Sequence, residues 1–277
     1  MFRHIPTLFA ASLALLPATA PAQTRPLGPI PAKPVAAPIQ LPPAMRVPAR
    51  PAPEKQPFAA EIAAFEARDA HAKPAKGGVL FLGSSSIRMW TDLPKDFPGI
   101  NVINRGFGGS TIPDSVRYVE RIVTPYAPKT IVFYAGDNDL GAGHTPEEVF
   151  TDFQALVNKV HAKLPMTRIL FVSIKPSLSR WQLIDGIRAT NMLVRDYVAT
   201  DPRLGYVDIV PAMLGRDGRP RPELYREDGL HMTRAGYDIW RNAVTKALKA
   251  KPLPAKGKAK PLAPPVSLPA GSLPAGR

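Results

Sequence analysis

The fold class this sequence predicts is α/β, with a parallel five-stranded sheet, and three observations carry that prediction. Short, continuous apolar runs end abruptly at turns rich in Gly, Ser and Asn, as strands buried on both faces do. Longer segments with apolar residues three or four apart lie between them, as on one face of a helix. The two kinds of segment alternate along the chain, and right-handed crossovers then leave a sheet with helices on both faces.

Residues 58–71 open the series, with Phe58, Ile62 and Phe65 at helical spacing. Val79-Leu80-Phe81-Leu82 is the first strand and stops at Gly83-Ser84-Ser85-Ser86, where a helical turn can begin. A second strand is expected at 100–103, followed by a loop from Arg105 to Ser110 that is too rich in glycine for a regular element. A helix over 112–123 leads to a third strand at 130–134, which ends at Gly136-Asp137-Asn138-Asp139. Thr145 reads as an N-cap with Pro146 at the first helical position and acids in the first turn. Phe150, Phe153, Leu156, Val157 and Val160 continue that helix as its inward face. A fourth strand at 168–174, a helix at 184–199 and a fifth strand at 206–209 follow. An irregular stretch then reaches His231, and a last helix over 234–250 carries Tyr237, Trp240, Val244 and Leu248 on one face.

The flanks differ in kind. Of 34 prolines, many crowd into 21–57 and 252–274 among Ala, Lys and Arg, where no apolar period exists, so both flanks read as extended and unpacked. The domain organisation expected is a signal peptide at 1–22, a linker at 23–57, one folded domain at 58–250 and a tail at 251–277. The formal charge of +14 divides the same way: 58–250 hold 25 Lys and Arg against 21 Asp and Glu, while the flanks hold the other 11 basic residues against Glu54 alone. Basic tails of this kind point to solubility or contact with an anionic envelope surface, not to nucleic-acid binding. Arg3 and His4 precede an apolar stretch over 5–16 and then Ala20-Pro21-Ala22, the form a signal peptidase cleaves. Cleavage before Gln23, export, and a periplasmic or extracellular location are the expectation. No segment is long and apolar enough to predict a permanent transmembrane span. The absence of cysteine excludes disulfides, thiolate nucleophiles and cysteine-ligated metal.

In open parallel sheets, ligand sites lie beyond the carboxyl ends of the strands, where these polar turns fall. Ser85, on a strand-to-helix turn, is a candidate nucleophile, though Ser84, Ser85 and Ser86 could instead cap a helix. A serine oxygen needs a base, and Asp228-Gly229-Leu230-His231 offers one: at a spacing of three, the carboxylate can hold one imidazole nitrogen while the other faces the serine. The same tetrapeptide could be a loop salt bridge. Asn138, Gly109 and the Ser85 backbone N–H could hold a developing oxyanion, while Gly109 and Asn138 also suit ordinary turns. The segment from Gly106 is not a dinucleotide fingerprint, because Thr111 stands where its third glycine belongs. His4, His71, His144 and His161 form no metal-ligand spacing.

Taken together, Gly83-Ser84-Ser85, Gly108-Gly109, Gly136-Asp137-Asn138-Asp139 and Asp228 to His231 resemble, in order, the four blocks of the SGNH, or GDSL-like, hydrolases. Ser84 departs from the family's aspartate, at a position outside its catalytic set. The resemblance implies a three-layer, flavodoxin-like α/β/α sandwich and ester hydrolysis through an acyl-enzyme without metal or organic cofactor. Ser85, Asp228 and His231 would be catalytic, and Ser85, Gly109 and Asn138 would form the oxyanion hole. Arg88, Trp90, Phe107 and Trp181, with Arg180, are expected near the rim as contacts for a small-acyl or glycan ester. The alternative from another class is a catalytically silent carbohydrate-binding or cell-envelope protein on the same fold.

Overall fold

The computed structural model describes residues 57–250. The expected signal peptide, the tail, and all of the linker but Pro57 lie outside the described residues. Five strands, β1 (Val79–Gly83), β2 (Val102–Gly106), β3 (Thr130–Tyr134), β4 (Arg168–Val172) and β5 (Leu204–Val207), form one parallel sheet in the order β2-β1-β3-β4-β5. The helices are α1 (Ala59–His71), α2 (Ser85–Arg88), α3 (Leu93–Asp96), α4 (Ile112–Ile122), α5 (Asp137–Gly141), α6 (Pro146–Lys163), α7 (Ile184–Val198), α8 (Val210–Met213) and α9 (Arg234–Lys249).

The pleat explains the three layers. Successive strand side chains point to opposite faces. Leu80, Leu82, Ile131, Phe133, Ile169 and Phe171 therefore pack with α1, α4, α6 and α7. Phe81, Val132, Tyr134, Leu170 and Val172 pack on the other face, against α2, α3 and α9. Each fully buried side chain of this size contributes about 1.5–3 kcal/mol, so two covered faces make a continuous apolar run the favourable strand sequence. The start of α6 follows the sequence closely: the Thr145 hydroxyl accepts from the Glu148 N–H, and the Thr145 N–H donates back to the Glu148 carboxylate.

Both edge strands differ in position from the sequence reading. β2 begins two residues later than expected and runs through Gly106, in register with β1 from Val79↔Val102 to Gly83↔Gly106. Two polar residues disguise it. The Asn104 amide donates to the Ile87 carbonyl, while buried Arg105 pairs with Asp69 at 2.7 Å and lies over the Phe65 and Tyr126 rings. β5 starts at Leu204 rather than 206, because pairing with β4 sets its register from Ile169↔Leu204 to Val172↔Val207. No helix among the described residues is long and apolar enough to cross a membrane.

Candidate active site

β1 and β3 leave the sheet side by side at the point where the strand order reverses, which opens a crevice at their carboxyl ends. Gly83 makes the exit from β1 possible. Its φ is +142°, and a Cβ there would lie 1.8 Å from the Tyr134 carbonyl oxygen, so only glycine fits against β3. Ser84 donates its N–H to that same carbonyl, and Ser85 begins α2. The hydroxyls of Ser84 and Ser86 are buried without hydrogen-bond partners among the described residues, so neither caps the helix. The Ser85 hydroxyl instead lies 2.9 Å from His231 Nε2.

His231 comes from a tight loop just before α9. The Arg226 N–H donates to the His231 carbonyl, the Gly229 N–H donates to Arg226, and the Ser179 N–H donates to Gly229. Asp228 organises the turn: one carboxylate oxygen accepts from the backbone N–H groups of Leu230 and His231, each at 2.9 Å. The other lies 2.6 Å from His231 Nδ1. A carboxylate only accepts, so Nδ1 carries the proton and Nε2 presents its lone pair to Ser85. Burial alone would raise the Asp228 carboxyl, but its bonds from His231 and Leu230 outweigh that and hold it at about 2. The pair is open to solvent, with the His231 side chain 21% and the Asp228 side chain 48% exposed.

The other two segments meet this edge from β2 and β3. Phe107 donates its N–H to the Gly83 carbonyl, which fixes the glycine loop beside Ser85. Gly109 has φ +75° and nothing within 4 Å of where a Cβ would be. Neither the Ser85 nor the Gly109 N–H donates to a protein acceptor among the described residues. Asn138, in α5, donates from Nδ2 to the Ser110 carbonyl at 2.9 Å, which ties the β3 turn to the glycine loop. Asp139 beside it is wholly buried and accepts the Ile112 N–H at the start of α4. Burial raises its carboxyl to about 6, against the pull of that bond.

Two expected rim residues are corrected. Trp90 is buried in the layer between the sheet and α9, against Phe81, Phe97 and Tyr237, with its indole N–H bonded to Asp96. Phe107 is fully buried between Phe58 and Tyr118, because the residue after Gly106 turns into the core rather than out of the loop. Arg88 and Trp181 do reach the surface. The Arg88 guanidinium lies on Gly108, 3.0 Å from where a Cβ would stand, next to Gly109. Trp181 is partly exposed, with the Arg219 guanidinium 5.3 Å from its ring centre.

The sequence reading missed a polar cluster behind Asn138. Lys175, only 1% exposed, donates to Asp137 at 2.8 Å and to the Tyr134 hydroxyl at 2.9 Å. Arg180 approaches the same Asp137 carboxylate at 3.5 Å and donates to Asn138 Oδ1 at 2.9 Å. Burial opposes ionisation of Asp137, but Lys175 and Arg180 hold its carboxyl below the ordinary aspartate value. Lys175, which follows Ser173 and Ile174 just past the end of β4, was the available signal, since a buried ammonium requires a counter-charge.

Comparison with known proteins agrees with this architecture. The model of the GDSL-like Lipase/Acylhydrolase family matches residues 76–239, and the chain belongs to that family. It is 28% identical over 177 residues to platelet-activating factor acetylhydrolase IB subunit alpha1 of Bos taurus, covering 61% of this chain and 73% of that protein. The crystal structure of a GDSL-like lipase from Bacteroides thetaiotaomicron shares the fold with a TM-score of 0.59 at 20% identity, covering 69% of this chain and 98% of that one. A carbohydrate esterase family 3 structure from Talaromyces cellulolyticus matches with a TM-score of 0.50 at 17% identity, covering 62% and 96%. The family makes this protein an ester hydrolase of the acylhydrolase class.

Proposed function

We propose that the protein is a serine esterase that cleaves small-acyl esters, acetyl-like in size, from a bulky alcohol such as a glycan. The observation that carries the reading is the hydrogen-bonded series Ser85 Oγ, His231 Nε2, His231 Nδ1 and Asp228, at 2.9 and 2.6 Å. In this scheme His231 Nε2 takes the Ser85 proton as Oγ bonds to the ester carbonyl carbon. The Ser85 and Gly109 N–H groups and the free hydrogen of Asn138 Nδ2 face the charge that develops on the carbonyl oxygen. The carbon–alkoxy bond then breaks, His231 returns its proton to the departing alcohol, and the acyl group stays on Ser85. Water, deprotonated by His231, attacks that acyl-enzyme, and Ser85 leaves with the proton as the acid is released.

Two further observations support the substrate size. The bovine relative is named an acetylhydrolase, which favours a short acyl group. The open flank around Asp228 and His231 gives a large alcohol room. On the alcohol side, a partly exposed indole beside a guanidinium, as Trp181 is with Arg219, suits the face and hydroxyls of a sugar ring. Arg88, beside Gly108, is the second contact in this reading.

Hydrolysis of p-nitrophenyl acetate and its longer-chain homologues, with Ser85→Ala as control, tests both parts. The expected outcome is activity that falls with chain length and drops by three orders of magnitude or more, roughly, in the control. Equal activity in Ser85→Ala would rule out the serine mechanism, and a preference for long chains would rule out the small-acyl assignment.

A further inference from the structure

The Asn138 carboxamide can serve an oxyanion in only one of its two orientations, with nitrogen toward the crevice. Its neighbours decide which. The Ser110 carbonyl can only accept, and the Arg180 guanidinium can only donate. With Nδ2 2.9 Å from the first and Oδ1 2.9 Å from the second, a flipped amide would oppose like to like at both ends. One Nδ2 hydrogen is used by Ser110, and the second is left for a ligand.

Arg180 is itself held. Its guanidinium lies 3.5 Å from the Asp137 carboxylate, and that carboxylate is anchored by buried Lys175, which also donates to Tyr134. Both cations pair with that one carboxylate, and Arg180 is the one that also donates to the Asn138 amide oxygen. A cation that donates to an amide oxygen draws electron density from the amide nitrogen and strengthens the N–H as a donor. The arrangement fixes the amide and polarises it toward the position of the oxyanion.

We propose that Arg180 is a positioning residue for ester hydrolysis, acting through Asn138 rather than on the substrate, with Asp137 and Lys175 as its anchor. The proposal rests on the reading of Asn138 as an oxyanion donor. It predicts a loss confined to the transition state, which a general structural role would not produce.

The test is kcat and KM on p-nitrophenyl acetate for the wild type, Arg180→Met, Arg180→Lys, Asn138→Ala and the Asn138→Ala/Arg180→Met double variant, with thermal melting of each. Arg180→Met is expected to lower kcat about 10–100-fold with KM within about threefold, by analogy with loss of an oxyanion donor or its support. Arg180→Lys keeps the charge and one donor, and should recover part of that loss. In the Asn138→Ala background the Arg180→Met change should cost less than about threefold, because the group it positions is gone. Equal losses in both backgrounds, or a raised KM at unchanged kcat, would overturn the positioning role and make Arg180 a scaffold or substrate contact. Full activity in Asn138→Ala, or in Ser85→Ala, would remove the underlying reading and the proposal with it. If Arg180→Met melts below the assay temperature, Arg180→Lys in the two backgrounds carries the same comparison.

Discussion

Asp139 and Asp228 lie at the same edge of the sheet, and their surroundings push their carboxyls in opposite directions. Asp228 is half exposed and collects three N–H donors, so it remains a carboxylate in mildly acidic solution. Asp139 is fully buried, has one backbone donor, and leaves its other oxygen without a partner among the described residues. Burial raises it to about 6, and Asp137 and Asp152 add repulsion. A raised carboxyl means that the folded state holds its proton more tightly than the unfolded chain. The associated stability is therefore complete below about pH 4 and is lost as pH rises through 6. A shift of about two units corresponds to roughly 3 kcal/mol at most. Asp139→Asn keeps an acceptor for the Ile112 N–H but removes the titration. Its Tm relative to wild type should therefore rise by about 5 °C between pH 4.5 and 7.5. A difference that stays flat across that range would mean that Asp139 is not proton-linked to folding.

At the scale of elements, glycine separates the positions that build the crevice from those that merely tolerate small size. Gly83 lets β1 pass β3 before the Ser85 turn, and any Cβ there collides with the Tyr134 carbonyl. Gly83→Ala should lower stability by about 3 kcal/mol or more and displace Ser85, with esterase activity falling further than stability alone explains. Gly186, inside α7, has only a methyl of Leu140 at 3.5 Å from the added Cβ. Gly186→Ala should raise stability by about 0.5–1 kcal/mol in a urea titration with activity unchanged. The same contrast explains what was legible in the sequence. Central strands such as 79–82 and 130–134 announce themselves because both faces are covered. The edge strand at Val102–Gly106 carries Asn104 and Arg105, whose partners lie far away in the chain, and no local pattern reveals them. The four blocks were readable because each falls at a strand end or in the loop before α9. Whether Trp90 or Phe107 faced outward was not, since that depends on how the chain leaves the pleat. The Arg180–Asn138 bond joins residues 42 apart and becomes visible only once the fold brings them together.

Across the whole chain, charge and chemistry are divided. The matched family region, 76–239, contains the sheet and all four blocks, and the domain at 58–250 is close to neutral, with 25 basic against 21 acidic residues. The flanks carry the remaining 11 basic residues against one acid, and the N-terminal one opens with the pattern read as an export signal. We propose that these basic flanks hold an exported form of the protein near an anionic envelope surface. Attraction of this kind is screened by salt, with a Debye length of about 8 Å at physiological strength and about 3 Å at 1 M. Expressed as residues 1–277 in a bacterial host, the protein should therefore fractionate with the envelope at low salt, be released by washing at about 1 M salt, and begin at Gln23 on N-terminal sequencing. A cytosolic protein that retains the first 22 residues would overturn export. A protein that begins at Gln23 but is already soluble at low salt would remove the anchoring role of the flanks and leave solubility as their contribution.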